Sequence, residues 1–288
     1  MEPSPIEVFD QVAWYPDHAV LSEQVFRLEH FKNDDTWDLG ENHFVFFKVQ
    51  ELVEQYRAFF ARRPGFRPRN ILELGIWDGG SAVFWFEVFR PSKHVAIDID
   101  PRGDTEQFTR YVRERDLAGR LRTRWSIDQS DRDALTALVR DEFVGPLDLV
   151  IDDASHFLEP TRASFEALFP RLRDGGLYLI EDWAWGHWRE FHPPNPMSDD
   201  EPLTRFVVDL VQAAGTSADV IRSVDVCSGF VAVERGAGAL DADDFALENH
   251  ICSLPSRWSF VATEAQERTS LWSRGRSLFA SERGVGSR

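Results

Sequence analysis

The chain has 288 residues, and 32 lysines and arginines stand against 49 aspartates and glutamates, a formal net charge of −17 with 43% hydrophobic residues. A chain of this length and apolar content can bury roughly three quarters of its unfolded surface, which excludes disorder and small disulfide scaffolds. The excess of acid repels phosphate backbones and anionic lipid, so neither nucleic acid nor a membrane is an expected partner.

Residues 1 to about 41 mix aromatics (Phe9, Trp14, Tyr15, Phe26, Phe31, Trp37) with acids and show no sustained period. They read as short helices and loops that can cover a pocket. From Phe44 the apolar positions Val45, Val49, Leu52, Val53, Tyr56, Phe59 and Phe60 recur at three and four, one face of an amphipathic helix that Pro64, Gly65 and Pro68 end. Short apolar runs then alternate with helical stretches: Asn70 to Leu74, His94 to Ile99, Leu121 to Ile127, Leu147 to Ile151 and Leu177 to Ile180. Such alternation implies βαβ units and a mostly parallel sheet covered on both faces. Val220 to Val226 and Phe230 to Val233 flank Cys227-Ser228-Gly229 and read as a closing antiparallel hairpin. The fold class is therefore α/β: a Rossmann-like, mostly parallel seven-stranded sheet with helices on both faces. The expected segments are an N-terminal helical or lid segment over 1–63, a cofactor-binding domain over 64–236 and a C-terminal helical extension over 237–288, with helical pattern near Leu271 to Phe279. Cys227 and Cys252 lack metal or redox spacing and read as packing residues. The start, Met1-Glu2-Pro3-Ser4-Pro5, lacks a signal-peptide pattern, and no run reaches about 18 apolar residues, so a cytoplasmic protein without a membrane span is expected.

In open α/β sheets ligands bind beyond the carboxyl ends of the strands, so the residues after each strand carry the chemistry. The first exit reads Glu73-Leu74-Gly75-Ile76-Trp77-Asp78-Gly79-Gly80-Ser81, a glycine turn that admits close approach of a ligand. A dinucleotide fingerprint needs glycine where Trp77 stands, which weighs against a dehydrogenase. Asp98, at the second exit, follows Gly79 by the interval at which an acid meets a ribose diol. Asp128 or Gln129, at the third, are placed to meet an adenine edge or, equally, to cap a helix. The fourth and fifth exits, Asp152-Asp153-Ala154-Ser155-His156 and Glu181-Asp182-Trp183, bring several acids towards one point if the strands are neighbours. Converging carboxylates in a dry cleft repel unless protonated or held by a cation, for which a hard divalent ion such as Mg²⁺ is suited. Capping of the following helices is the plainer alternative for each acid alone.

Together, Glu73-x-Gly75-x-x-x-Gly79-Gly80-Ser81, Ile97-Asp98-Ile99-Asp100, Asp128-Gln129-Ser130-Asp131, Asp152-Asp153-Ala154-Ser155-His156 and Glu181-Asp182 resemble class I S-adenosylmethionine-dependent methyltransferases. Within that class the residues resemble the metal-dependent sugar O-methyltransferases of macrolide biosynthesis and the related cephalosporin-hydroxylase-like group. The resemblance spans roughly Asn70 to Trp183. It implies Asp153, Glu181 and Asp182 as Mg²⁺ ligands and His156, with Asp153, as the catalytic pair in which His156 is the base. It also implies a cofactor site of Glu73, Gly75, Gly79, Ser81, Asp98, Asp128 and Gln129, with the Gly75 to Ser81 turn around the methionine part. The implied activity is O-methylation of a small-molecule hydroxyl, most readily on a sugar of a natural product, by a homo-oligomer. Rival readings are a phenol or catechol O-methyltransferase, an NAD-dependent dehydrogenase and a non-catalytic binding module. Trp183, Trp185, His187 and Trp188 follow the acids and read either as a substrate wall or as pins for a long loop. The arginines at 110, 113, 115, 120, 122 and 124 read as a solvated face.

Overall fold

A computed structural model describes residues 3–28 and 42–252. Phe31, Trp37 and the helical pattern near 271–279 lie outside them. Helix α1, Pro5–Phe9, opens with a capping box in which Ser4 and Glu7 satisfy each other's backbone amides. Strands β1 (Ala13–Trp14), β2 (His18–Leu21), β3 (Gln24–Leu28) and β4 (Phe44–Phe46) then form a small sheet in that order, with β4 parallel to β3. This corrects the helices and loops expected over residues 13–28. The hairpin between β2 and β3 turns on Ser22 and Glu23, both at positive φ (49° and 68°), the backbone of a type I′ turn without its usual Asn-Gly sequence. Phe44–Phe46 likewise extends instead of starting a helix: all three residues are buried, with Phe44 and Phe46 packed on Phe26 of β3 and Phe46 also on Phe84. Helix α2 runs over Gln50–Ala61 and buries Leu52, Val53, Tyr56, Phe59 and Phe60.

The main sheet follows. Strands β5 (Asn70–Leu74), β6 (Lys93–Asp98), β7 (Leu121–Trp125), β8 (Leu147–Asp152), β9 (Leu172–Glu181), β10 (Ile221–Val226) and β11 (Phe230–Arg235) lie in the order β10-β11-β9-β8-β5-β6-β7. The first five are parallel, and β11 pairs antiparallel with both β9 and β10, so the closing hairpin sits as the sequence predicts. Helices α3 (Gly80–Phe89) and α4 (Glu106–Glu114) cover one face; α5 (Arg132–Glu142), α6 (Leu158–Leu168) and α7 (Thr204–Thr216) cover the other. Alternate residues of each strand feed the two cores: Ile71, Ala96, Leu149 and Ile151 face α3, whereas Leu72, Val95 and Val150 face α5 and α6.

Nine of the ten residues of α3 are buried, since the N-terminal sheet lies over its outer side. Phe84 packs against Phe9, Phe26 and Phe46, and a helix apolar on every side is stable only between two layers. The described part of the N-terminal segment packs as a further layer on α3, within one compact unit that runs to Ile251. Residues 237–251 also belong to it: Phe245 and Leu247 enter the second core, and the helical content there is one short turn, Leu247–His250. Among the described residues no helix is long and apolar enough to cross a membrane.

Candidate active site

Strand order reverses at β5, which has β6 on one side and β8 on the other, so the crevice for a ligand opens beyond the carboxyl ends of these strands. Backbone bonds draw the three exits together: Gly75 N donates to Ile97 O (2.8 Å) and Asp153 N to Leu74 O (2.9 Å). The approach is so close that a Cβ on Gly75, whose φ is +96°, would lie 2.1 Å from the Asp153 carbonyl oxygen. A Cβ on Gly80 would lie equally close to the carbonyl of Val45, because β4 crosses the start of α3 there. Asp78 fixes that crossing; its buried carboxylate accepts from Val45 N (2.6 Å) and Gly80 N (2.9 Å). Burial pushes its pKa up to about 6 despite both amides.

Trp77, at φ +57°, is held between the Arg102 guanidinium (4.4 Å from the ring) and the edge of Phe47. Asp98 accepts from Ile76 N (2.9 Å), Trp77 N (3.0 Å) and Asp100 N (2.9 Å), so its first task is to shape the turn. A carboxylate has about four acceptor positions, which leaves room for one more donor from the crevice. Ser81 is half-buried in the first turn of α3. The other three predicted cofactor contacts are held by partners within the protein. Glu73 is fully buried in the core, 3.0 Å from His94 Nε2, because its alternation in β5 points it at α3. Gln129 is turned inward; its amide donates to Asp152 Oδ1 (3.1 Å) and accepts from Ser155 N (2.7 Å). Asp128 is exposed and accepts from Ser130, while Asp131 caps α5.

The exits of β8 and β9 do converge. Asp153, His156 and Asp182 each place a ligand atom within 4.8 Å of the others. His156 Nε2 lies 3.9 Å from Asp153 Oδ1. Both His156 (φ 59°) and Asp182 (φ 51°) adopt left-handed backbone, a strain of about 1–3 kcal/mol each that surrounding contacts must hold. One such contact is Trp185, whose Nε1 donates to His156 O at 2.7 Å; another runs from Asp182 N to Gly229 O (3.0 Å). Trp183 pins the hairpin through Cys227 O (2.8 Å), and His187 meets Thr204 Oγ1 (2.7 Å). Trp183 and Trp185 therefore brace the loop. Beneath them Asp152 is sealed in a network with Ser164 Oγ (2.7 Å), Tyr178 OH (2.8 Å) and Gln129, and burial raises its pKa to about 6.

Glu181 takes a different place from Asp182. It is 2% exposed, and both of its oxygens accept from Lys48 Nζ at 2.7 Å, which also donates to Asp153 Oδ2 at 2.7 Å. Burial favours neutral lysine, but Asp153 and Glu181 outweigh it and hold Lys48 protonated above its ordinary range. Burial and the Asp153 charge push Glu181 upward, and Lys48 opposes them. Burial likewise raises Asp182. Tyr56, stacked on Phe230, is driven up by burial first and then by Glu181. Neither Lys48 nor Tyr56 was anticipated. The sequence does hold a signal for the first: it is one of only three lysines, set between Phe44-Val45-Phe46-Phe47 and Val49, where a charge needs a buried partner. A separate cleft of about 510 Å³, lined by Phe108, Val112, Arg113, Arg122 and Arg124 among others, shares no residue with this crevice.

The family model for a methyltransferase domain matches residues 72–183, which contain the glycine turn and both acidic exits. Demethylmacrocin O-methyltransferase of Streptomyces fradiae is 38% identical over 129 residues, covering 42% of this chain and 29% of the relative. Mycinamicin VI 2''-O-methyltransferase of Micromonospora griseorubida is 32% identical over 165 residues, covering 54% and 38% respectively. The matched part thus spans about a third of these curated relatives. Among solved structures, the MycE methyltransferase from the mycinamycin biosynthetic pathway, in complex with Mg and SAH, superposes with a TM-score of 0.50 at 28% identity, over 73% of this chain and 53% of that one. The seven-stranded domain has the class I S-adenosylmethionine-dependent methyltransferase fold.

Proposed function

We propose that this chain, whose central domain has the methyltransferase fold, is an S-adenosylmethionine- and Mg²⁺-dependent O-methyltransferase of natural-product biosynthesis that acts on a sugar hydroxyl. The observation that carries the reading is adjacency: the glycine turn after β5 and the cluster of Asp153, His156 and Asp182 meet at one switch point. Two of the relatives are named as O-methyltransferases of a rhamnosyl tetracenomycin and an olivosyl oleandolide, which supports a sugar-bearing acceptor.

The crevice fits a nucleoside-bearing cofactor. The first turn of α3, with Ser81, favours a carboxylate; Asp98 keeps an acceptor for a ribose hydroxyl; Ile99, 66% exposed beside it, offers an apolar face to a ring. Two carboxylates and an imidazole within 4.8 Å fit a hard divalent ion, with Asp153 and Asp182 as its oxygen ligands and Glu181 held behind them by Lys48. The cofactor supplies an activated methyl, and the ion supplies charge that favours the ionised form of an acceptor oxygen.

His156 takes the acceptor's proton. Its side chain is about a quarter exposed, so the imidazole is open to the crevice, and Asp153 at 3.9 Å is placed to stabilise the imidazolium that proton transfer produces. Trp185 holds the His156 backbone in the strained conformation that aims the ring. Lys48, kept protonated, is a charge and not a base. A cytoplasmic homo-oligomer without nucleic-acid or membrane partners completes the proposal. The test is incubation with S-adenosylmethionine, Mg²⁺ and glycosylated macrolactones bearing free sugar hydroxyls. Gain of one methyl on the sugar, lost on chelation and restored by Mg²⁺, supports it; methylation of simple catechols alone moves the acceptor to the phenol class.

A further inference from the structure

From the orientation of the Gln129 amide we infer that Gln129 is a positioning residue: it ties the loop carrying Asp153 and His156 to the exit of β7, and so couples binding of the divalent ion to binding of the nucleoside cofactor. The inference deepens the proposed function and rests on it for the identity of the two ligands. Gln129 is 6% exposed, although Asp128 and Ser130 on either side of it are exposed. A buried amide has to satisfy both of its ends. Its Nε2 donates to Asp152 Oδ1 at 3.1 Å, and its Oε1 accepts from Ser155 N at 2.7 Å. The flipped amide would set Nε2 against the Ser155 N–H and Oε1 against a carboxylate, so these partners permit one sense only.

The anchoring end of the amide is fixed, because Ser164 Oγ (2.7 Å) and Tyr178 OH (2.8 Å) hold Asp152 from α6 and β9. The other end grips Ser155, which stands between Asp153 and the strained His156, whose φ is 59°. The loop that bears Gln129 is in turn bonded to the cofactor side of the crevice. Ile127 N donates to Asp98 O (2.9 Å), and the Asp98 carboxylate accepts from Ile76 N and Trp77 N of the glycine turn. Asp98, Ile127, Gln129 and Ser155 thus form one hydrogen-bonded path from the ribose position to the cluster of Asp153, His156 and Asp182. A cofactor that orders Asp98 and the 126–131 loop also orders Ser155 through Gln129, and the ion then meets a loop already in place. Linkage makes the effect reciprocal, so the ion tightens cofactor binding by the same factor.

Calorimetric titration of the full chain with Mn²⁺, alone and saturated with S-adenosylhomocysteine, tests this. The wild type is expected to bind Mn²⁺ about fivefold or more tightly when S-adenosylhomocysteine is present. Gln129→Met keeps the length of the side chain but loses both bonds, and its coupling factor is expected to fall to within about twofold of unity while S-adenosylhomocysteine still binds. A merely structural glutamine would weaken both ligands and leave the factor as in the wild type, and that result overturns the inference. If Gln129→Met fails to fold, hydrogen exchange of the wild-type chain decides. Amides of the 153–157 segment exchanging about threefold or more slowly with S-adenosylhomocysteine and no divalent ion support the inference, and unchanged exchange overturns it. Binding of both ligands by the wild type without coupling overturns the inference and leaves the methyltransferase reading standing. Absence of S-adenosylhomocysteine binding defeats that reading and the inference with it.

Discussion

Replacing Asp78 with Asn isolates the clamp that holds β4 on the glycine turn. Its carboxylate is 3% exposed, accepts from Val45 N and Gly80 N, and has a pKa raised from 3.8 to about 6. A raised carboxylate pKa means that the folded state holds the proton more tightly than the unfolded one. The protonated acid therefore contributes stability that is fully present below the unfolded value and is lost as pH rises through about 6. The whole shift corresponds to about 3 kcal/mol, of which about 1.4 kcal/mol is lost between pH 5.0 and pH 7.5. Asn cannot titrate, and its NH₂ must face one of the two amides, a cost of about 1–3 kcal/mol that does not change with pH. Urea unfolding of both proteins should therefore show the wild type's advantage shrinking by about 1.4 kcal/mol from pH 5.0 to 7.5. An advantage that is constant with pH, or that grows, would refute the argument that burial outweighs the two amide bonds.

Gly75→Ala combines a left-handed φ with a Cβ set 2.1 Å from the Asp153 carbonyl oxygen, and should cost about 3 kcal/mol or more, seen as a thermal midpoint lower by roughly 6–10 °C. Trp185→Phe keeps an aromatic side chain but deletes the donor to His156 O and part of the buried ring; stability should fall by about 1 kcal/mol or more, and methyl transfer should drop while S-adenosylhomocysteine affinity holds. Equal turnover in that variant would show that the bond does not aim His156. His156→Ala should abolish methyl transfer yet bind cofactor as before, and a variant turning over at the wild-type rate would remove His156 from the chemistry.

The main sheet was legible because its strands are buried on both faces and read as continuous apolar runs, and β5 falls on the residues expected, Asn70–Leu74. The outer sheet was not. Its hairpin turns on Ser22-Glu23, a pair without turn chemistry, and its strands are short, so no period could build up over residues 13–28. At the site, strand exits could be read by position, and Asp153, His156 and Asp182 indeed meet. Which way each exit residue points could not. Glu73 and Gln129 lie at exits but are turned into buried partners, His94 and Asp152. Lys48 escaped because it comes from another layer, more than a hundred residues from Asp153, and long-range pairing leaves no local spacing to detect. Asp78 stood inside the quoted motif, yet its bond to Val45 depends on that same outer layer.

The central claim is that the crevice at the β5 switch point holds S-adenosylmethionine. Calorimetric titration of the full chain with S-adenosylhomocysteine in the presence of Mg²⁺, with NAD as the parallel ligand, tests it most directly. Saturable binding of S-adenosylhomocysteine alone, one per chain, is the predicted result; binding of NAD alone, or of neither, would contradict it.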